Sequence, residues 1–250
     1  MSFGLSRGKP LDVAPGQVAI GPDELGLLPD DLLDRPDSAW IDPGSLFQEP
    51  GRPLEIEIGS GKGTFLLAYG ASKPETNLLG IEWAGEFFAY TADRVRRRQL
   101  PNVRVLHGDA TEFVRWRLPT SSVRVIHLYF SDPWPKARHH KKRVIQHRFL
   151  TDAWRVLEPE GELRVVTDHA ALWAWDCEHF EPWCAAGAAP IEGFEGPMPA
   201  FAMEAFEPPP GAGEGELVGS NFERKFRREG RSFHAATLRA LKSDEPRPSA

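Results

Sequence analysis

Leu54-Glu55-Ile56-Glu57-Ile58 reads as a β-strand, and it runs straight into Gly59-Ser60-Gly61-Lys62-Gly63. Thr64-Phe65-Leu66-Leu67-Ala68-Tyr69 follows with the pattern of a helix. A strand that turns through glycines into a helix is the opening unit of an α/β sheet, with a ligand crevice outside the carboxyl end of the strand. Glycines there let backbone approach a ligand closely. Whatever this chain binds, the first place to look is residues 57–63.

The rest of the chain repeats the unit. Asn77–Glu82 reads as a second strand and 84–99 as a helix, which Pro101 stops. Val103–His107 is a third strand, closed by Gly108-Asp109-Ala110. Val123–Phe130 is a fourth, almost wholly apolar, as a strand buried on both faces should be. A helix over 146–157, a fifth strand over Leu163–Asp168 and a helix near 170–185 complete the alternation. The expected fold is therefore α/β, a Rossmann-like and mostly parallel sheet flanked by helices. After 190 the alternation breaks. Residues 222–228 and 231–240 read as two strands round a Glu229-Gly230 turn, an antiparallel hairpin at the sheet edge. Residues 1–50, rich in Pro, Gly and Asp, read as an extended arm packed through Trp40, Leu46 and Phe47. Residues 51–241 form the domain proper, and 242–250 a disordered tail.

Spacing decides between ligands at the glycine turn. A dinucleotide fingerprint needs G-x-G-x-x-G, but here the third glycine comes one position early. A phosphate loop needs a glycine five positions before Gly61-Lys62, and Ile56 stands there. Glu57, two residues before Gly59, points a carboxylate into the crevice; it repels pyrophosphate and welcomes a cation. Glu82 ends the second strand, where a carboxylate accepts from both hydroxyls of a ribose. Asp109 follows the third strand, within reach of an adenine amino group, and Asp132 follows the fourth. A lone acid after a strand is usually a helix cap or a solvated turn residue. Four in register beside glycines suit a ligand with an ammonium, a sulfonium, a ribose and an adenine, which is S-adenosylmethionine.

Asp132 opens the densest chemistry in the chain, Asp132-Pro133-Trp134-Pro135-Lys136-Ala137-Arg138-His139-His140-Lys141-Lys142-Arg143. Five Lys or Arg and two His follow the carboxylate directly, in a chain whose formal net charge is −6. That total argues against a general nucleic-acid binder, but a concentrated patch still steers an anion. The block reads as a polyanion grip beside a reactive acid. Trp134 either stacks on a base or pins the turn. His139 and His140 are phosphate contacts if protonated, or local hydrogen-bonders. Cys177 and Cys184 match no zinc spacing and read as a reduced pair, so no metal is expected. No stretch of about 18 apolar residues suggests a membrane span, and a cytoplasmic protein is the expectation.

Taken together, Glu57-Ile58-Gly59-Ser60-Gly61-Lys62-Gly63, Gly80-Ile81-Glu82, Gly108-Asp109-Ala110 and above all Asp132–Arg143 resemble the bacterial tRNA (guanine-N7)-methyltransferase family, the TrmB type. Asp168 and Ser220-Asn221-Phe222-Glu223-Arg224-Lys225-Phe226 resemble its two later motifs, so the resemblance runs over roughly 52–240. It implies a class I methyltransferase that uses S-adenosylmethionine on a guanine in tRNA, usually position 46 of the variable loop. It implies that Glu57, Gly59, Gly61, Glu82, Asp109 and Asp132 meet the cofactor, with Asp132 also catalytic. Lys136, Asp168, Ser220, Asn221, Phe222 and Glu223 would meet the substrate, and Arg138, His139, His140, Lys141, Lys142 and Arg143 the RNA. Family members often begin with an Arg-rich arm. Here Arg7 and Lys9 are followed by acids, which counts against an N-terminal grip on RNA. Ser220 stands where Thr is usual and keeps the hydroxyl.

Three other readings compete. One is a methyltransferase for a different RNA or for a small molecule, which the basic block disfavours, and another a non-catalytic RNA-binding subunit on the same fold, which should have lost its cofactor acids. A nicotinamide-dependent dehydrogenase is disfavoured by the glycine spacing. Monomer and homodimer are equally compatible with the sequence.

Overall fold

In a computed structural model of the chain, residues 10–242 are described. Arg7, Lys9 and the tail from residue 243 on lie outside the described residues. The elements run β1 (Ala19–Ile20), β2 (Leu54–Ile58), α1 (Thr64–Ser72), β3 (Asn77–Glu82), α2 (Gly85–Arg98), β4 (Val103–His107) and α3 (Ala110–Arg117). Then come β5 (Val123–Tyr129), α4 (His147–Val156), β6 (Leu157–Thr167), α5 (Ala170–Cys184), β7 (Phe201–Glu204), α6 (Asn221–Arg228) and β8 (His234–Ala240). The eight strands form one sheet in the order β1-β4-β3-β2-β5-β6-β8-β7. Every pairing from β1 across to β6 is parallel, while β8 runs antiparallel to both β6 and β7.

The order of the strands fixes the site. From β2 the chain steps outward to β3 and β4, then returns to lay β5 on the other side of β2. The carboxyl ends of β2 and β5 therefore flank the topological switch point, where open α/β sheets bind ligands. Leu54, Ile56 and Ile58 of β2 pack with α3, α4 and α5 through Phe113, Leu150 and Phe180. The opposite face is closed by Phe65, Leu66 and Tyr69 of α1 and by Ala92 and Val95 of α2. All five residues of β2 are buried, its two acids included.

The antiparallel strand pair at the end of the chain is present, but one of its strands is not where the sequence pattern put it. Residues 221–228 are the helix α6, and the partner of β8 is β7 at 201–204. The physical reason lies in Ser220-Asn221-Phe222-Glu223, the S-x-x-E start of a helix, with Phe222 and Phe226 one turn apart. The Ser220 hydroxyl accepts from the Glu223 amide at 3.1 Å. Helix α3 was not expected either. Asp109 caps it, accepting through Oδ1 from the amides of Thr111 (2.8 Å) and Glu112 (3.2 Å).

Residues 10–50 contribute the edge strand β1, whose Ala19 and Ile20 align with Val105 and Leu106. Phe47 is buried, and Leu46 packs on the same core. Arg104 fixes this segment by donating to the carbonyls of Val18, Ala19 and Leu46 at 3.4, 3.1 and 2.5 Å. Cys177 and Cys184 are both free thiols. No helix among the described residues is long and apolar enough to cross a membrane.

Candidate active site

A cavity of about 370 Å³ opens at the switch point, within the roughly 300–1,000 Å³ usual for small-ligand sites. Its floor is Glu57, Gly59, Ser60, Thr64, Phe65 and Tyr129. Gly59, Gly61 and Gly63 all have positive φ, at 74°, 53° and 66°. Gly63 is doubly constrained, since a Cβ there would lie 2.4 Å from Cγ2 of Thr91 on α2. The turn is thus pressed against α2, and the Thr91 hydroxyl donates to the Gly61 carbonyl at 2.8 Å.

Seven buried side-chain nitrogen or oxygen atoms among the described residues have no hydrogen-bond partner, and three of them line this cavity: Glu57 Oε2, Ser60 Oγ and Thr64 Oγ1. Buried polar atoms in folded proteins are nearly always satisfied, so such a cluster is where a polar ligand belongs. Burial, and then the neighbouring Glu82 carboxylate, push the Glu57 carboxyl well above the usual carboxylate range. A cation placed against Glu57 would relieve both effects.

The other three acids, Glu82, Asp109 and Asp132, are not among the residues that line the cavity, and their duties differ. Glu82 accepts from the Gly61 amide at 2.7 Å and from the Ala84 amide at 2.9 Å, so it holds the glycine turn to the end of β3. Asp109 is exposed, and its Oδ1 is the α3 cap. Asp132 is exposed, past the end of β5, and no side-chain hydrogen bond or ion pair ties it to the described residues.

The turn around Asp132 is shaped by two non-glycine residues with left-handed backbone, Phe130 (φ 55°) and Trp134 (φ 42°). The Phe130 ring enters an aromatic cluster with Phe222, Phe226 and Phe233, at 6.5, 5.9 and 5.8 Å between centroids. The Trp134 ring is met edge-on by His139 at 5.8 Å, and Lys142 Nζ lies over it at 4.7 Å. Residues 137–142 form a 3-10 helix with Lys136, Arg138, Lys141 and Lys142 exposed. Arg143 does not belong to that surface. It is buried, donates from Nε to the Pro133 carbonyl at 2.9 Å and lies 5.1 Å over Trp175. Its duty is to staple the turn to α5.

Two further expected substrate contacts are engaged within the protein. Glu223 is fully buried; it accepts from the amides of Leu217, Val218 and Gly219 at 2.6–2.9 Å and pairs with Arg227 at 2.7 Å. It anchors the loop that leads into α6. Asp168 is paired with Arg231 at 2.5 Å, which in turn holds Glu229 at 2.6 Å. Asn221 and Phe222 face the cavity beside Ser220, and Phe222 is 44% exposed.

Sequence reasoning missed a polar network beneath the floor. His127 on β5 is fully buried, 2.8 Å from Glu55 Oε2 and 2.7 Å from the Tyr129 hydroxyl. Burial would raise the Glu55 carboxyl, but the His127 and Tyr69 hydrogen bonds hold it below its ordinary value. Burial also lowers His127 and raises Tyr129. These directions agree with one arrangement: Tyr129 O–H donates to Nδ1 of a neutral His127, whose Nε2–H donates to ionised Glu55. Tyr129 thereby presents its ring, not its hydroxyl, to the cavity.

The family model Methyltransf_4, whose description is "Putative methyltransferase", matches residues 51–185, more than half of the chain. The chain belongs to this methyltransferase family. Among relatives of the family member, a protein of Nitrobacter hamburgensis named tRNA (guanine-N(7)-)-methyltransferase is 35% identical over 197 residues, covering 76% of this chain and 69% of that protein. A Corynebacterium diphtheriae protein of the same name is 40% identical over 129 residues, 51% of this chain and 50% of that one. A Streptococcus equi relative, also so named, is 34% identical over 131 residues and matched over 62% of its length. The chain thus spans about half to three-fifths of the length of these last two relatives. A solved 30S ribosomal A1408 methyltransferase from an uncultured bacterium superposes with a TM-score of 0.49 at 11% identity, covering 79% of this chain and 90% of that one.

Proposed function

We propose that this methyltransferase moves a methyl group from S-adenosylmethionine to N7 of a guanine in tRNA, at position 46 of the variable loop. One observation carries the reading: the three unpartnered polar atoms of Glu57, Ser60 and Thr64 surround one cavity at the switch point of the sheet. They match the amino-acid end of the cofactor. Glu57 would take the ammonium, while the hydroxyls of Ser60 and Thr64 and the free amides at the start of α1 would take the carboxylate. Glu82 and Asp109 stand along the same rim for the ribose and adenine. The relatives' names and the exposed cations after Asp132 support an RNA substrate.

When bound, S-adenosylmethionine supplies a methyl on a cationic sulfur, which the N7 lone pair takes to leave a neutral thioether, with no proton exchanged. A general base is therefore unnecessary. The protein's task is alignment, and positioning of this kind can supply roughly 7–11 kcal/mol of a barrier. Asp132 holds the guanine edge and lends negative charge to the base as it becomes cationic. Phe222 and the Phe130 cluster wall the cavity mouth and exclude water. The exposed cations of 136–142 draw the RNA backbone to the protein.

The decisive experiment is incubation with labelled S-adenosylmethionine and unmodified tRNA, followed by borohydride and aniline cleavage. A single cut in the variable loop is expected. Label incorporated without N7 cleavage overturns the assigned atom, and label entering only another RNA overturns the assigned substrate.

A further inference from the structure

Helix α6 carries four cations, and it treats them in two ways. Arg224 forks onto Glu216 at 2.6 and 3.0 Å, and Arg227 onto buried Glu223 at 3.0 and 2.7 Å. Those two are neutralised by carboxylates of the protein, although both side chains remain exposed. Lys225 and Arg228 instead line the cavity, together with Asn221 and Phe222. Positions 221, 225 and 228, with 222 beside them, recur at intervals of three and four and share one helical face. Arg228 makes no ion pair among the described residues; its Nε donates to the Arg224 carbonyl at 3.2 Å. Lys225 comes no nearer to a carboxylate than 3.9 Å, at the exposed Glu229.

The two cations are also at the right depth. Both are exposed, whereas Glu57, Ser60, Phe65 and Tyr129 at the floor are buried. They guard the mouth of a cavity whose depths are acidic. Phe222 and Phe226 tie their helix to Phe130, two residues before Asp132. The cavity lining therefore carries exposed cations on two separate elements, Lys62 of the glycine turn and Lys225 and Arg228 of α6. The chemistry such cations recognise is an oxyanion with access to solvent.

We propose that Lys225 and Arg228 form a second phosphate-binding surface for the substrate RNA, gripping the backbone next to the target nucleotide while the 136–142 turn grips it elsewhere. This deepens the RNA-methylation reading and rests on it. A base drawn out of its stack into the cavity brings its own sugar-phosphate linkages to the mouth, where these side chains stand. A cofactor carboxylate is the competing oxyanion, and the test separates the two.

Binding of unmodified tRNA is measured over a salt series for the wild type, for Lys225→Ala/Arg228→Ala and for Arg224→Ala, with S-adenosylhomocysteine affinity measured by calorimetry on each. Two lost phosphate contacts should flatten the slope of log K against log salt by about 1.4–1.8, from roughly 0.7–0.9 per contact. The double variant should also show a raised KM for tRNA, with S-adenosylhomocysteine affinity unchanged. Arg224→Ala should keep the wild-type slope. An unaltered slope in the double variant, beside a wild type that binds tRNA with a steep one, overturns the second surface alone. A loss confined to S-adenosylhomocysteine affinity overturns it in favour of the cofactor carboxylate. A wild type without tRNA binding overturns the parent reading and this one with it.

Discussion

Asp176 offers the sharpest quantitative test of the architecture behind the basic turn. It sits on α5, is 2% exposed, and its Oδ1 has no hydrogen-bond partner. Burial pushes its carboxyl up to about 7 from an ordinary 3.8, although the nearby Arg143 guanidinium pulls the other way. Between those pH values the folded protein keeps a proton that the unfolded chain has released. Stability from this group therefore falls as pH rises from about 4 to about 7, and is level above that. The shift of about three units corresponds to a ceiling of about 4 kcal/mol at about 1.4 kcal/mol per unit. Asp176→Asn removes the titration and leaves shape and polarity nearly unchanged. Urea unfolding at pH 4, 5, 6, 7 and 8 should show the variant gaining on the wild type by up to about 1.4 kcal/mol per pH unit, then levelling near pH 7. The fixed difference between Asn and a protonated Asp cancels in that slope. A difference that stays constant across the range refutes a buried, protonated Asp176 and with it the packing of α5 beneath Arg143.

Three further outcomes are expected. Asp132→Asn should lower single-turnover methylation by about 10²–10³-fold, as loss of one charge-stabilising group does, while titrated S-adenosylmethionine affinity changes little; equal losses in both would remove its catalytic assignment. Gly63→Ala must place a Cβ 2.4 Å from Thr91 Cγ2 at a φ of 66°, so a lower urea midpoint and a loss of about 2–4 kcal/mol are expected. Adding Thr91→Ser should restore part of it, because the hydroxyl that holds Gly61 remains while the methyl goes. Glu55 is held below its ordinary value, so its contribution is full above the normal carboxylate range and lost as pH falls through the lower folded value. Glu55→Gln should accordingly cost about 1–3 kcal/mol at neutral pH and make the acid limb of the stability profile shallower than in the wild type.

The sheet was legible where the sequence period is clean. β2 and its glycines announce a strand–turn–helix unit, and β5 is apolar enough to be buried on both faces. Helix α6 was not recognised, because Phe222 and Phe226 among charged neighbours imitate an alternating strand; Ser220-x-x-Glu223 was the available signal. Strand β1 is two residues long and has no period to read. The alternation Glu55-Ile56-Glu57 suggests one wet face, yet both faces are covered. What compensates Glu55 is His127, which lies 72 positions away in sequence. Nor does a run of five cations say which one turns inward. Arg143 does so because Pro133 offers a carbonyl and Trp175 a ring face.

The backbone around Asp132 then acquires a reason. Phe130 and Trp134 each hold a left-handed conformation that costs an L-residue roughly 1–2 kcal/mol, and neither is glycine. A glycine would relieve the cost but forfeit the side chain. Phe130 needs its ring because the ring packs against α6 through Phe222 and Phe226. Trp134 needs its own because His139 and Lys142 of the cationic turn pack against it. The strain thus sits at the two joints that couple Asp132 to α6 on one side and to the basic turn on the other. A carboxylate free of internal partners is held by its neighbours' rings, not by hydrogen bonds of its own. On the proposed function, such a group would be available to an incoming base without having to break a contact first, and its position would be set before the substrate arrives.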